Sequence, residues 1–498
     1  MNSADMLAIL PLILIPASSI AVMLSIALYR NHGLAALVTL AGLAVSFASI
    51  FIAAPYAPRD VTGLLVIDGY ALFFIGLISA GTFVVAMLAY GYLDKLKVER
   101  EEFYLLLLLA AAGSSVLAAS SHFVSFFLGL ETLSVSLYAL ISYPRGSGNE
   151  IEAGVKYLIL AAISSAFLLF GMALVYARLG TMQFSGIAAM APGVFASKDA
   201  VFLGGLALIA AGTGFKLAVV PFHMWTPDVY EGAPAPVSAF VATVSKGAVF
   251  ALFLRYFARV DIHQSRSLML AIVVISIGSM FIGNLLALLQ DNVKRILAYS
   301  SISHLGYLLV AFLAAGALRV TAVSYYLVSY FITMLGAFGV VSVLTGEHGE
   351  VQELSDYRGL AANRPALAAV FSAMLFSLAG IPLTAGFIGK FYVIAAGAGS
   401  ALWTLLIALA ISSAIGLFYY VRVIITMYSK PEEKLEAVPG TVEGGAYGTG
   451  VFRADITGVA VPIGGGLALA GLTLGLVWFG VYPSTLLSII QHAIRSLM

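Results

Sequence analysis

Long apolar stretches recur along the whole chain, and they constrain the fold more than any other feature. A membrane-spanning helix needs about 20 mostly apolar residues. Fourteen stretches of the 498-residue chain meet this requirement, and they predict an all-α polytopic membrane protein with about fourteen transmembrane helices. These predicted spans are 6–29, 34–54, 70–93, 103–120, 122–142, 151–178, 200–224, 235–258, 268–290, 294–314, 319–345, 365–398, 401–428 and 457–482.

The composition supports a membrane protein and excludes several kinds of site. Hydrophobic residues make up 61% of the chain and charged residues only 10%, whereas soluble domains carry about 25% charged residues. The net charge of +1 argues against nucleic acid as a partner. The chain has no cysteine, which excludes disulfides, cysteine-held iron–sulfur clusters and zinc sites, and a cysteine nucleophile.

The loops are too short for a soluble domain. The longest, 429–456, is rich in glycine and predicts a flexible linker, and residues 484–498 predict a short interfacial helix. The first apolar stretch follows acidic Asp5 rather than a basic region, which favours a retained helix over a cleaved signal peptide. Twelve basic residues on one side of the membrane against seven on the other predict both termini on the periplasmic side.

Four ionisable side chains lie well inside predicted spans: Glu131, Lys216, Lys246 and Lys390. Each charge at mid-bilayer costs about 2.5–3.5 kcal/mol on insertion scales, so these groups must face the bundle interior, water or a counter-ion. A structural Glu131–Lys216 ion pair is one interpretation, but one acid cannot neutralise three bases. Because a lysine whose surroundings change can bind and release a proton, we favour a functional charge pathway.

Polar residues at helical spacing accompany these charges. They form one face in the fifth span and one in the tenth: Glu131, Ser134 and Tyr138; Ser300, Ser303, His304 and Tyr307. Such faces could hold a chain of water molecules, or the hydroxyl groups could simply allow close helix packing. For His304 both interpretations stay open.

Two prolines indicate broken helices beside two of the lysines. Pro221 follows Lys216 in the seventh span, and Pro382 precedes Lys390 in the twelfth. Discontinuous helices at a charged site are typical of transporters.

The spacing of the polar residues predicts an internal repeat. Glu131 and His304 are 173 residues apart, and Lys216 and Lys390 are 174 apart. We interpret this spacing as two five-helix repeats, which must be inverted because five is odd. The predicted domains are 1–102 with helices 1–3, 103–260 as the first repeat, 261–428 as the second, and 429–498 with the cytoplasmic linker, helix 14 and the tail.

Three stretches carry a resemblance to a known family. Residues 215–246 read FKLAVVPFHMWTPDVYEGAPAPVSAFVATVSK, residues 284–310 read NLLALLQDNVKRILAYSSISHLGYLLV, and residues 357–392 read YRGLAANRPALAAVFSAMLFSLAGIPLTAGFIGKFY. The chain resembles the antiporter-like membrane subunits of NADH–quinone oxidoreductase (respiratory complex I), and among them the subunit N family. Lys390 stands where subunit M has Glu, and the long lateral helix of subunit L is lacking.

This resemblance implies a proton-translocating subunit of a translocase in the bacterial cytoplasmic (inner) membrane. It implies that Glu131 tunes Lys216, that Lys246 links two half-channels and that Lys390 lies on the exit side. His223 and His304 occupy polar positions with less defined roles. The chain itself would hold no cofactor or metal, whereas NADH, FMN, iron–sulfur clusters and quinone belong to partner subunits.

The partners implied by the resemblance are the other membrane subunits of complex I, including homologous antiporter-like subunits, together with the peripheral NADH-oxidising arm and the lipid bilayer. Nucleic acid is not expected. Two alternative functions use a similar fold: a subunit of a multisubunit cation/proton antiporter and a subunit of a membrane-bound hydrogenase complex. A haem carrier is disfavoured because His223 and His304 do not form an obvious pair of axial ligands.

Overall fold

The computed structural model describes residues 2–96, 99–143, 148–316, 318–346, 349–430 and 460–495. Most of the predicted 429–456 linker therefore lies outside the described residues. The same is true of four basic residues counted for the orientation, namely Lys97, Arg145, Lys434 and Arg453.

The N-terminal part is a group of helices with one small hairpin. Its elements are α1 Ser3–Ala8, α2 Leu10–Leu28, α3 His32–Ala53, the 3-10 turn Ala54–Tyr56, the strands β1 Arg59–Val61 and β2 Leu65–Ile67, and α4 Gly69–Lys95. The two strands pair antiparallel, with Arg59 opposite Ile67. This hairpin of three-residue strands is an addition to the predicted all-α fold.

The next five predicted spans, from 103–120 to 235–258, form more and shorter elements than predicted. They are α5 Glu101–Ala119, α6 Phe123–Ile141, α7 Gly148–Leu179, α8 Phe184–Ala196, α9 Ala200–Leu217, α10 Trp225–Gly232, α11 Ala235–Phe240, the π-helical segment Val241–Ser245 and α12 Lys246–Arg259. The polar segment 183–199 forms the short helix α8, whose 13 residues are too few to span a bilayer.

The second half is also more divided than predicted, because the twelfth predicted span of the chain forms two helices. Its elements are the 3-10 turn Ile262–Gln264, α13 Arg266–Leu288, α14 Val293–Leu313, α15 Leu318–Leu344, the 3-10 turn Leu354–Tyr357, α16 Leu360–Asn363, α17 Pro365–Ala379, α18 Ala385–Gly399 and α19 Trp403–Tyr428. The chain ends with α20 Ile463–Val481 and α21 Pro483–Ile494. Helix α21 packs against α4 and α15.

Thirteen helices in the described ranges are long and apolar enough to cross a membrane. The predicted span 365–398 is instead the two shorter apolar helices α17 and α18. The chain is thus an α-helical, multi-pass membrane protein. The helix from Ala235 to Arg259 is buried all around, and α14 and α15 are nearly so, whereas α2 and α3 lie at the periphery. The buried lysine-bearing segment is therefore at the centre of the bundle.

The two predicted helix breaks are present. Helix α9 ends at Leu217 because Ala218 adopts a left-handed conformation with φ 59°, and α17 ends at Ala379 because Gly380 does so with φ 87°. Side chains also bind carbonyl groups at the breaks. The Trp225 indole donates to the Phe215 carbonyl at 3.0 Å.

The breaks do not follow the 174-residue spacing of the lysines. Their left-handed residues, Ala218 and Gly380, are 162 positions apart. Lys216 lies in the last turn before its break, whereas Lys390 lies in the helix that follows its break. A constant offset therefore cannot superpose both the lysines and the breaks, and the inverted repeat stays a prediction.

A buried ion pair links three helices, and its basic partner was not among the charges predicted inside the spans. Arg255 lies inside the predicted span 235–258 and is 1% exposed. Its guanidinium donates to both carboxylate oxygens of Asp68 at 2.9 and 2.7 Å and to the Ala118 carbonyl at 3.2 Å. Asp68 also accepts from the Ala71 amide at the start of α4. This saturated pair joins α4, α5 and α12.

Replacing Asp68 with Asn should destabilise the protein by about 3–5 kcal/mol, because it leaves the Arg255 charge buried without its counter-ion. Asn can still cap α4, so the helix start is preserved. Unfolding of the detergent-solubilised protein in denaturant measures the change. The matched control is Asp60→Asn, at an exposed position of the hairpin, which should stay within about 0.5 kcal/mol of the parent. Equal stability of the two variants would contradict a structural role for the pair.

Candidate functional site: a buried row of lysines, histidine and hydroxyls

Lys246 lies at the centre of the site, directly after the π-helical segment 241–245. Such a segment adds a residue to the helical register and often occurs at functional sites. The Lys246 ammonium is 1% exposed and donates to the Ser301 hydroxyl at 2.6 Å. Tyr330 donates to the same hydroxyl at 2.7 Å, and the Lys246 nitrogen lies 5.4 Å from the centre of the Tyr230 ring. Helices α12, α14 and α15 thus meet at one lysine.

Lys216 lies in the last turn of α9, where the helix break brings it against α6 and α7. Its nitrogen donates to the Ser134 hydroxyl at 2.5 Å and to the Tyr157 hydroxyl at 3.1 Å. The same nitrogen lies 5.0 Å from the centre of the Tyr157 ring. The ammonium group is therefore held by hydroxyl oxygens and an aromatic face.

Glu131 lies near Lys216 but does not contact it. Among the described residues, no carboxylate–ammonium contact within 4.0 Å joins the two side chains, so the structural ion pair that was one interpretation of these charges is not formed as a direct contact. The Glu131 carboxylate instead accepts from the Ser165 hydroxyl at 2.5 Å, and it is half-buried. The acid and the base are thus each held separately by a serine.

His304 lies on α14 between several tyrosine rings. Its Nδ1 lies 2.7 Å from the Tyr326 hydroxyl and its Nε2 lies 3.2 Å from the Tyr420 hydroxyl. A cavity of about 10 Å³ lies beside the imidazole, lined also by Ser329, Thr333 and Ser377. This volume is about that of one water molecule. The imidazole can therefore exchange a proton with hydroxyl groups on two sides.

Lys390 lies on α18, just after the second helix break. Its nitrogen donates to the Ala379 carbonyl, which that break leaves free, and to the Ser413 hydroxyl, both at 2.8 Å. It lies 5.2 Å from the centre of the Tyr307 ring. Within the described ranges, neither Lys246 nor Lys390 has a carboxylate within 4.0 Å. Each of these lysines can lose its proton without leaving a buried carboxylate unbalanced.

His223 lies in the segment between α9 and α10 and is 6% exposed. Its Nδ1 has no hydrogen-bond partner among the described residues. In that part of the chain, no ring contact or ion pair joins His223 to the other five predicted site residues. The structure therefore brings Lys216 together with the Glu131 region and Lys246 together with the His304 region, but it leaves His223 apart.

A network of charges at one end of the site was not predicted as a site. The Glu350 carboxylate accepts from Lys294 at 2.5 Å, from the Tyr92 hydroxyl at 2.8 Å and from the Ala235 amide at 2.7 Å. Lys294 also donates to the carbonyl groups of Glu231 and Ala233. The contacts with Ala233 and Ala235 hold the start of α11, the helix that leads to Lys246. The sequence showed Lys294 only as a basic loop residue, because its partner Glu350 is 56 positions away.

Asp228 joins the two halves of the bundle at the same end. Its carboxylate binds Lys156 of α7 at 2.9 Å and Arg295 of α14 at 3.0 Å. Partial burial alone would raise the pKa of Asp228, but the hydrogen bonds from Lys156 and Arg295 outweigh it and hold the pKa below its ordinary value of 3.8. The short helix α10 after the break is therefore fixed by cations from both halves.

Comparisons with known proteins show the family of the chain. The family described as NADH:quinone oxidoreductase/Mrp antiporter, TM, matches residues 120–416. A protein of Nitrosospira multiformis named NADH-quinone oxidoreductase subunit N is 52% identical, with 98% of this chain and 96% of that protein covered. The protein of the same name from Ectopseudomonas mendocina is 46% identical over 99% of this chain and 97% of its own length. The chain belongs to this family of antiporter-like membrane subunits, and these full-length relatives are its subunit N members.

Solved structures show the same fold. A chain of respiratory complex I from Thermus thermophilus with bound aureothin superposes with a TM-score of 0.79 at 30% identity, covering 96% of this chain and 98% of that one. A chain of the Mrp complex from Dietzia sp. DQ12-45-1b gives a TM-score of 0.83 at 22% identity, covering 100% of this chain and 98% of its own length. The second match supports the fold alone.

Replacing Asp228 with Asn should lower the stability of the protein by about 1 kcal/mol or less, because its cationic partners are partly exposed. The folded-state pKa is lowered, so this stabilisation is present above the ordinary pKa and is lost only as the pH falls through the lower, folded value. The difference between the variant and the parent should therefore stay constant from pH 8 to pH 5. Thermal unfolding in detergent measures it, and a difference that disappears between pH 6 and pH 5 would contradict the lowered pKa.

Proposed function

We propose that the chain is the proton-translocating membrane subunit N of an NADH–quinone oxidoreductase. The observation that carries this proposal is the buried row of Lys216, Lys246, His304 and Lys390, each of which binds hydroxyl groups inside an apolar bundle. The names of the full-length relatives support the same function. The multi-pass fold leaves no soluble domain in the described ranges, so the energy for translocation comes from partner subunits.

Protons would pass along the row by successive loading and unloading of basic groups. Glu131 and Lys216 form the first station, because Ser165 and Ser134 hold them close without direct contact. A shift of the Glu131 carboxylate or of a neighbouring charge changes how firmly Lys216 holds its proton. Lys246 is the central station, where Ser301 and Tyr330 connect α12 to α14 and α15.

The last part of the row leads from His304 to Lys390. His304 lies beside the water-sized cavity and two tyrosine hydroxyls, so it can pass a proton in either direction. Lys390 is the exit-side station, and its Ser413 partner is half-buried at the edge of the bundle. His223 takes no part in this row.

The proposed function also implies which groups belong to partner subunits. NADH, FMN, iron–sulfur clusters and quinone would be bound by partner subunits, and this chain would act as the translocating part of the enzyme without a redox centre. Its partners would be other antiporter-like membrane subunits, the peripheral NADH-oxidising arm and lipid. We place the chain in the bacterial cytoplasmic membrane with both termini on the periplasmic side.

The chain should co-migrate with NADH dehydrogenase activity when gently solubilised host membranes are separated on a native gel. Staining for NADH oxidation and mass spectrometry of the band test this directly. A band that contains the chain without NADH activity would contradict the assignment. Proton transport that then depends on sodium would favour the cation/proton antiporter, and association with a hydrogenase would favour that complex.

Replacing Lys216 with Ala should lower proton pumping in inverted membrane vesicles by about tenfold or more, because it removes one station of the row. NADH oxidation by an artificial acceptor should be unchanged, since that reaction takes place on partner subunits. Glu131→Gln should give a smaller loss if Glu131 acts only through Lys216. Lys430→Ala, at an exposed lysine, is the matched control and should pump normally. Normal pumping by Lys216→Ala would remove Lys216 from the pathway.

A further inference from the structure

We infer that Asn284 is a positioning residue for the exit side of the pathway, because it holds Tyr307 between His304 and Lys390. This inference rests on the proposed function. Asn284 lies on α13, is 1% exposed and is not one of the predicted site residues. The side chain is uncharged, so it does not carry the proton itself.

Asn284 connects three helices through its side-chain amide. The Nδ2 atom, which carries two hydrogens, lies 2.9 Å from the Tyr307 hydroxyl of α14 and 2.8 and 2.6 Å from the Ser412 carbonyl and hydroxyl of α19, so one hydrogen is shared between two of these acceptors. The Oδ1 atom accepts from the Tyr419 hydroxyl at 2.8 Å. A buried amide with this many partners fixes its neighbours in one arrangement.

The direction of these hydrogen bonds follows from groups that can only accept. The Ser412 carbonyl requires a donor, so the nitrogen of the Asn284 amide must face it. The Ser412 hydroxyl donates to the Met280 carbonyl at 2.9 Å, and its oxygen is left to accept. Tyr307 therefore accepts from Asn284 and donates to Ser412 at 3.3 Å.

The Tyr307 ring, held in this way, contacts both neighbouring stations. The Lys390 nitrogen lies 5.2 Å from the ring centre, and the His304 ring lies 5.4 Å from it in an edge-to-face arrangement. An aromatic face attracts a lysine only while the lysine carries its proton. The position of this ring thus sets the environment of loaded Lys390 and the separation between Lys390 and His304. Asn284 acts on the proton only through Tyr307.

The test is a double-mutant cycle in inverted vesicles containing the complete membrane complex. Asn284→Leu removes the amide while keeping a similar volume, and Tyr307→Phe removes only the hydroxyl that Asn284 binds. We expect Asn284→Leu to lower the protons pumped per NADH oxidised by about tenfold, since displacement of one group in a transfer chain is costly. Tyr307→Phe should give a similar loss, and the double variant should be no worse than either single variant.

The number of protons per NADH is independent of how much complex assembles, so a merely structural defect would not change it. Ser276→Ala is the matched control, because Ser276 joins α13 to α14 through the Gly306 carbonyl at 2.8 Å without contacting the row. This control should pump normally. Normal pumping by Asn284→Leu, or losses that multiply in the double variant, would overturn the inference. If Asn284→Leu fails to assemble, Tyr307→Phe alone decides, and its normal pumping overturns the inference.

The Lys216→Ala variant separates this inference from the proposed function. Loss of pumping in Lys216→Ala together with normal pumping in Asn284→Leu and Tyr307→Phe would leave the pathway intact and refute only the role of Asn284. Normal pumping in all three variants would refute the pathway as well.

Discussion

The rest of the structure depends on how an apolar helix bundle can keep three ammonium groups in its interior. A charge moved from water into a low-dielectric interior loses several kcal/mol of solvation. Here Lys216, Lys246 and Lys390 recover part of the lost solvation free energy through hydrogen bonds to serine and tyrosine oxygens and through contacts with aromatic faces. Fixed carboxylate partners would hold each proton too firmly for transfer. Hydroxyl partners tolerate both the charged and the neutral lysine, because a hydroxyl can accept or donate.

The helix breaks supply geometry that continuous helices lack. At the first break, Lys216 lies in the last turn of its helix and faces two neighbouring helices. At the second, Lys390 turns back to the free carbonyl of Ala379. By contrast, the Arg255–Asp68 pair is saturated, bidentate and charged on both sides. The same bundle thus contains buried charge of two kinds, one that binds permanently and one that can change its protonation.

The length and hydrophobicity of the apolar stretches were sufficient to predict the helical membrane fold, and the prolines were sufficient to predict the two breaks. Both signals are local in the sequence. The four intramembrane charges were also visible locally. What could not be predicted were partners distant in sequence, such as Ser301 for Lys246 and Glu350 for Lys294. Arg255 was overlooked at the end of its span, and no local signal showed that separate serines hold Glu131 and Lys216. These contacts depend on helix rotation and tilt, which packing determines and hydrophobicity does not.

The π-helical segment Val241–Ser245 has a consequence for how this family can vary. In an α-helix each residue turns the chain by about 100°, so the extra residue of a π-helical turn rotates everything after it by that amount. Lys246 follows directly and faces Ser301 because of this rotation. A relative one residue shorter in this segment could form a continuous α-helix and still present its lysine in nearly the same direction. A relative of the same length without the π-helical turn would instead turn its lysine by about 100° toward another helix. The number of residues before the lysine and the π-helical turn therefore act together in placing it.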